Sequence, residues 1–153
     1  MARPVLLCFD RSEHASDAIR AAGALFPGHD PLVLGVAVPA KDELPLDPLS
    51  DLIGRLSGLY REWDETVAEL ADRHALRGCE LAAKAGLHAR PLTAVGKPAA
   101  TILRVADEHD AAVIVLCAGN HKALSRVPGS VAARVLHDTN RPVLVIPARR
   151  ESR

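Results

Sequence analysis

The sequence predicts one α/β domain with a parallel sheet covered by helices on both faces. Three apolar runs of strand length, at residues 5–9, 32–38 and 111–117, have the continuous hydrophobicity of strands that are buried on both sides. Segments with helical apolar spacing separate the strands, and the resulting order is βαβαβαβαβ. Strands that alternate with helices pair in parallel through right-handed crossovers. The 153 residues, 48% of them apolar, suffice for a single core.

The first half of the chain carries helix signals after each strand. Residues 10–12 interrupt the first apolar run, and Ser12 suits the N-cap of a helix that ends at residues 27–28. Residues 39–48 contain three prolines and predict a loop after the second strand.

A long helix is predicted for residues 49–85, with Gly86 as its end. Gly54 and Gly58 weaken its first turns by about 1 kcal/mol each relative to alanine. Trp63 lies at the helical apolar spacing, and we predict that it is a core residue rather than a ligand contact.

The second half predicts two further strands and two further helices around the strand at 111–117. In chain order they are a strand over 87–95, a helix that carries residues 102–106, a loop over 118–129, a helix opened by Gly129-Ser130 and a strand over 142–147. We therefore expect residues 1–148 to form one domain and residues 149–153 to form a short C-terminal tail.

Charge and cysteine content exclude several classes of protein. Nineteen basic residues balance nineteen acidic ones, whereas a protein that tracks phosphates of nucleic acid needs a basic surplus. The three cysteines have no CxxC spacing, which disfavours a structural zinc site. Cys8 and Cys117 lie in apolar runs and are predicted to be buried reduced thiols, as in a reducing compartment. With no run long enough for a signal peptide or a membrane span, we expect a cytoplasmic protein without nucleic-acid or membrane partners.

The carboxyl ends of the strands are where an open parallel sheet binds its ligands. Two such segments carry informative chemistry, residues 9–12 and the loop over 116–130. Gly129-Ser130 at a helix N-terminus offers backbone N–H groups and a hydroxyl to an anion, and Lys122 and Arg126 could neutralise phosphate charge. The alternative is that the glycine serves only a turn and the serine only an N-cap.

Several segments of the chain share the pattern of one protein family. They are Asp10-Arg11-Ser12-Glu13, Gly96-Lys97-Pro98-Ala99 through Ile102, the strand at 112–116, Gly129-Ser130-Val131 and Pro142-Val143-Leu144-Val145. Together they resemble the universal stress protein family, over almost the whole chain in element order and most densely over residues 95–147. The resemblance implies a doubly wound, flavodoxin- or Rossmann-like sheet of five parallel strands in the order 3-2-1-4-5, and a homodimer.

ATP-binding members of that family carry the motif Gly-x2-Gly-x9-Gly-Ser/Thr. This chain resembles it at Gly119, Gly129 and Ser130 but has Leu116 at the first glycine. Either the leucine side chain occupies space near the sugar or phosphates, or it extends the buried strand and points away from the ligand.

The resemblance implies roles for named residues around an adenine nucleotide, with ATP favoured over AMP or ADP and magnesium carried on the phosphates. Phosphates would be held by the three matching motif residues and the backbone of Val131. Asp10 would meet the ribose, Val36 would contact adenine through its main chain, and Phe9 would line the same cleft. The implied role is regulatory, in a stress response.

Other nucleotide-binding and catalytic interpretations fit the sequence less well. A P-loop fails because Gly96-Lys97 is followed by Pro98. A phospho-acceptor domain would need acids clustered around Asp10, and a flavin carrier would need more aromatic residues. The histidines are scattered, His121 alone lies in the loop, and we expect no catalysis beyond slow ATP hydrolysis.

The open alternative is a nucleotide-free regulatory or interaction protein that acts through dimerisation and partner binding. Dimerisation is expected at residues 143–146, which are all apolar and predict a strand buried on both faces. If this strand lies at the sheet edge, pairing with a second copy would cover its backbone groups.

Overall fold

The computed structural model describes residues 2–9, 13–43, 47–118 and 131–147. Within these ranges the strands are β1 (Val5–Cys8), β2 (Leu32–Ala37), β3 (Arg90–Val95), β4 (Val113–Ala118) and β5 (Val143–Pro147). The helices there are α1 (Glu13–Leu25), α2 (Ala40–Glu43), α3 (Pro48–Leu56), α4 (Leu59–Lys84), α5 (Pro98–Glu108) and α6 (Val131–Asp138). The predicted C-terminal tail lies outside the described residues.

The strands form one parallel sheet in the order β3-β2-β1-β4-β5. Leu6 fixes the centre of the sheet, because it pairs with Leu32 of β2 on one side and with Ile114 of β4 on the other. The chain winds outward from β1 to β3 and then returns to the opposite side at β4. The predicted doubly wound fold and its strand order are confirmed, and the winding direction reverses between β1 and β4.

Two apolar layers hold the helices on the sheet. On one face α5 and α6 pack over a core that includes Leu34, Ile102, Ile114 and Val135. On the other face α1 and α4 pack over Leu7, Ile19 and other side chains of the second core. Because successive strand residues point to opposite faces, the continuous apolar runs supply both layers at once.

The predicted long helix is in fact two helices, α3 and α4. Gly58 has φ 76° and is followed by the first residue of α4, so the chain turns through a left-handed conformation that glycine adopts without a Cβ clash. The helix does end before Gly86, as predicted. Trp63 is 40% exposed, so the prediction that it is a core residue is wrong. A short helix, α2, also replaces part of the predicted loop.

Strand β5 lies at the edge of the sheet, next to β4. Its residues 143–146 are half-buried in the single chain, which corrects the expectation that both faces are buried. Being an edge strand, β5 has one side on which no strand of the described chain pairs with it.

A charged cluster joins the end of α5 to the start of β5 and to the N-terminal segment. The Asp110 carboxylate lies 3.1 Å from the Arg141 guanidinium and 2.7 Å from that of Arg3. Arg141 also donates a 2.6 Å hydrogen bond to the carbonyl of Ala111. Hydrogen bonds from Arg141 and then Arg3 lower the pKa of Asp110 below its ordinary 3.8.

Asp110→Asn is expected to destabilise the fold at neutral pH and to lose that effect in acid. Asparagine tolerates the positive φ of 47° at this position, so the change removes mainly the charge. Because the folded pKa is lowered, the carboxylate stabilises the fold above the unfolded value of 3.8 and stops doing so as pH falls through the folded value. Melting temperatures at pH 7 and about pH 2 check this. A difference that persists unchanged in acid would contradict it.

Candidate functional site

A cavity of about 310 Å³ opens at the carboxyl ends of β1, β2 and β4. It lies where the winding direction of the sheet reverses, which is the usual ligand position in doubly wound folds. Strand ends, the start of α5, the start of α6 and one residue of α4 form its walls. The lining residues are Cys8, Phe9, Leu34, Val36, His74, Pro98, Ile102, Leu116, Cys117, Val131 and Ala132.

Phe9 continues the line of β1 into the cavity wall. Its backbone N–H donates a 3.1 Å hydrogen bond to the carbonyl of Leu34, which keeps this residue beside β2 after the strand has ended. The ring is nearly buried, at 7% exposure, and lies against α4, where a Cβ on Gly78 would come within 3.1 Å of it. Phe9 thus lines the cavity, while its ring is held in the apolar layer that contains α1 and α4.

Val36 lies near the carboxyl end of β2 and forms another part of the wall. It is paired with Ala94 of β3, and its side chain packs against the core beneath α5 and α6. Because β2 has neighbours on both sides, the backbone at this wall is held in place by the sheet. Such a strand end can present its main chain to a flat ligand in one fixed orientation.

Two helix N-termini meet at the cavity. Val131 and Ala132 bring the first turn of α6 to it, and Pro98 brings the first turn of α5. Neither first turn contains an acidic residue. The N-terminal ends of helices carry partial positive charge and unpaired N–H groups, so the site favours an anion at this side.

Leu116 is part of both the core and the cavity wall. It lies within β4, paired with Val145, and is 4% exposed. Asp110 is the one non-glycine residue with positive φ in the described ranges, so Leu116 bears no left-handed strain. The leucine therefore extends the strand, as one of the two alternatives states, and its side chain also reaches the lining of the cavity.

The site residues predicted from sequence fall into two groups. The structure brings Phe9, Val36 and Val131 together around one cavity. The others lie outside the described residues, as does His121. They are Asp10, Gly119, Lys122, Arg126, Gly129 and Ser130.

Sequence reasoning missed several wall residues. Pro98 and Ile102 follow β3, and the signal for them was the Gly-Lys-Pro sequence after a strand. His74 comes from α4, and its place in the predicted helix 49–85 gave no sign that it reaches the cavity.

Family membership is decided by one match. The model of the universal stress protein family covers residues 1–147 of this chain. The chain belongs to the universal stress protein family. No protein with a curated description is similar enough to be matched to it.

Solved structures share the fold of this universal stress protein at low sequence identity. The hypothetical protein MJ0577 is 20% identical, with a TM-score of 0.74 and 99% of each chain covered. A universal stress protein in complex with cAMP is 22% identical, with a TM-score of 0.66, covering 96% of this chain and 98% of that one. The universal stress protein from Archaeoglobus fulgidus in complex with dAMP is 21% identical, with a TM-score of 0.62, covering 94% and 97%.

The thiols at the site of this universal stress protein are partly buried rather than fully enclosed. Burial raises the pKa of the Cys8 thiol to about 12, so it is protonated at neutral pH. All three cysteines lie in the described part of the chain, and no disulfide joins them. Cys8 is therefore a neutral, weakly polar wall rather than a nucleophile.

Larger depressions than this cavity lie elsewhere on the described part of this universal stress protein. One, of about 710 Å³, lies at the amino ends of the strands and is lined by Arg3, His29 and Arg90 among others. Another, of about 730 Å³, lies along α3 and α4. Position in the sheet, rather than volume, identifies the smaller cavity as the candidate ligand site.

The described ranges contain neither a cluster suited to a metal ion nor a membrane-spanning helix. Among the described residues, no group of three or more histidine, cysteine, aspartate or glutamate side chains is placed to hold a metal ion. No helix formed by those residues is both long and apolar enough to cross a bilayer.

Proposed function

We propose that this universal stress protein binds an adenine nucleotide, ATP or alternatively AMP or ADP, in the cavity at the carboxyl edge of its sheet. The observation that carries the proposal is the meeting of an apolar cavity with two helix N-termini at the point where the winding reverses. One side of such a site suits a base, and the other suits phosphates. The role we propose is regulatory, in a cytoplasmic stress response.

The apolar walls support binding of the base. Ile102, Leu116 and the β2 end at Val36 line a cavity whose floor belongs to the hydrophobic core. Adenine is flat and can bury its faces against such side chains while its polar edge hydrogen-bonds to a strand backbone. We assign the main chain of Val36 to that edge.

The first turn of α6 supports binding of the phosphates. Val131 is 38% exposed in the first described turn of this helix and lines the cavity. We assign Gly119, Gly129 and Ser130 to the same phosphates, with Lys122 and Arg126 as neighbours and Asp10 at the ribose. This assignment rests on the family motif. Magnesium would be carried by the phosphates rather than by a protein cage.

Two relatives of the same fold are complexes with adenine nucleotides, one with cAMP and one with dAMP. They support an adenine ligand for this chain, and the proposal of ATP goes beyond them. We propose no enzymatic step other than slow ATP hydrolysis.

The purified protein tests the proposal directly. Adenine carried over from expression is expected in its acid extract, and calorimetry with ATP and magnesium is expected to give saturable heat. Protein without carry-over, and without heat at millimolar ATP, would overturn the proposal. It would then favour the alternative of a nucleotide-free regulatory protein, to which Leu116 in place of the motif glycine points.

Val131→Asp is expected to weaken ATP binding about 10- to 100-fold. The new carboxylate would lie beside the phosphates, and a few kcal/mol of repulsion at an effective dielectric of about 20 produces that factor. An acid in the first turn of a helix is mildly stabilising, so α6 is expected to stay folded. Leu136→Asp adds the same charge in the last turn of α6 and serves as the control. Calorimetry of both variants checks this, and equal affinities would contradict the assignment.

We also propose a homodimer formed by residues Val143, Leu144, Val145 and Ile146 of β5. The support is the position of β5 at the edge and the half-buried state of these apolar residues in one chain. Pairing two such strands about a two-fold axis would cover their apolar side chains and backbone groups. Light scattering at micromolar concentration is expected to give the mass of a dimer, and a monomer mass would remove this proposal.

A further inference from the structure

We propose that the groove between α3 and α4 binds a basic amphipathic helix of a partner protein. The groove has a volume of about 730 Å³, and its walls include Ile53, Leu59, Tyr60, Trp63 and Val67. It shares no lining residue with the nucleotide cavity. The proposal therefore stands independently of the nucleotide.

Large apolar side chains are exposed around this groove. Leu56 is 80% exposed, and Ile53 and Leu59 are 55% and 58% exposed. The spacing of Leu49, Leu52, Ile53 and Leu56 places all four on one face of α3. A contiguous exposed apolar surface of this kind is characteristic of a binding site rather than of a solvated face.

The groove is held in shape by specific contacts. A Cβ on Gly54 would lie 2.5 Å from the Tyr60 ring, so α3 lies directly on that ring. The Tyr60 hydroxyl donates a 3.0 Å hydrogen bond to Asp51, which joins α3 to α4. The Asp64 carboxylate accepts a 2.9 Å hydrogen bond from the backbone N–H of Ala40, which joins α2 to α4. A partner would thus meet a preformed surface.

Charge indicates the chemistry of the partner. The groove lies between segments 40–42 and 47–70, which contain seven acidic and three basic side chains, whereas the whole chain has a net charge of zero. Two of the three basic residues are already paired, Arg55 with Asp51 at 2.8 Å and Arg61 with Glu65 at 3.0 Å. An apolar groove that has Glu62 in its wall and lies between acidic segments complements a helix that has an apolar face and basic flanks.

The same charges disfavour other occupants. An anionic lipid surface would be repelled by this segment, and two copies of the groove placed face to face would bring like charges together. The proposed β5 dimer does not cover it either. Helix α4 packs on β2 and β3, which lie towards the opposite edge of the sheet from β5.

Trp63 reports on binding because it is the one tryptophan in the chain and lies in the groove at 40% exposure. The probe is a synthetic helix of leucine and lysine, without tryptophan, in an amphipathic pattern of about 18 residues. We expect saturable binding with a blue shift of the emission. A leucine–glutamate helix with the same apolar face is expected to bind at least about tenfold more weakly, since its negative charges are repelled by the acidic segments around the groove.

Two leucines on α4 give matched variants. Leu59 lines the groove and is 58% exposed, whereas Leu76 is 54% exposed and lies outside it. Leu59→Ser is expected to weaken binding of the leucine–lysine helix about tenfold, the effect of losing one buried side chain at an interface. Leu76→Ser is expected to bind like the unmodified chain. Circular dichroism of both variants is the control that they are folded.

Several results would overturn the proposal. They are the absence of a blue shift, equal binding of both helices, or equal binding by the two leucine variants. A stronger shift with phosphatidylglycerol vesicles than with the leucine–lysine helix would assign the groove to a membrane surface instead. A blue shift that rises with protein concentration alone would assign it to a second copy of the chain.

Discussion

Gly35→Ala is expected to lower the free energy of unfolding by about 3 kcal/mol, at the upper end of what overpacking a core costs. Gly35 lies in β2 beneath α4, and a Cβ there would clash with the carbonyl oxygen of Ala71. The obstructing atom belongs to the helix backbone, so no side-chain rotation relieves the contact. Helix α4 would have to move away from the sheet, and the apolar layer between them would be less tightly packed.

Gly28→Ala is the matched control for this change. No atom lies within 4 Å of a Cβ at Gly28, but its φ of 75° is unfavourable for alanine. The expected loss is about 1 kcal/mol, from backbone conformation alone. Urea unfolding followed by circular dichroism measures both variants. Equal losses would show that the close approach of β2 and α4 does not limit packing.

Leu116→Gly is expected to cost about 4 kcal/mol of stability while leaving ATP affinity within about threefold of the original. The leucine is 4% exposed in the core beneath α5 and α6, so its removal leaves a cavity. The site already has a volume of about 310 Å³ with the leucine in place. A nucleotide that fits there gains little from further space.

Ile114→Gly separates the two effects. Ile114 is fully buried on the same face of β4 but does not line the cavity. Its loss of stability should be similar and its ATP affinity unchanged, as measured by calorimetry at a temperature where each variant is folded. Binding more than tenfold tighter in Leu116→Gly alone would contradict the expectation. It would show that the leucine occupies the position of the sugar or phosphates.

The fold was predictable because its signals are local. A strand buried on both faces needs a continuous apolar run, and residues 32–37 satisfy that requirement by composition alone. Each run is followed by a change to helical spacing, which fixes the βα order. Parallel pairing and handedness then follow from general rules of connection.

The break between α3 and α4 was harder to predict, because helical apolar spacing continues across Gly58. A glycine within a helical pattern costs only about 1 kcal/mol, so the pattern alone favours one helix. The exposure of Trp63 was hard to predict for the same reason. Spacing places a side chain on a face of the helix, but tertiary packing decides whether that face is covered.

The candidate site was predictable at two strand ends and at the start of α6, but not at α4 and α5. Phe9 follows an apolar run at its carboxyl end, and Val36 and Val131 were placed through the resemblance to the family. His74 and Pro98 enter the wall through the way α4 and α5 lie over the sheet, which depends on long-range packing. The volume left beside Leu116 depends on the same packing.

A crystal structure of the protein grown with ATP and magnesium tests the central claim most directly. We predict the adenine beside the end of β2 at Val36 and the end of β1 at Phe9, with phosphates at the first turn of α6. Nucleotide bound instead at the opposite edge of the sheet, in the depression lined by Arg3 and Arg90, would contradict the assignment of the site.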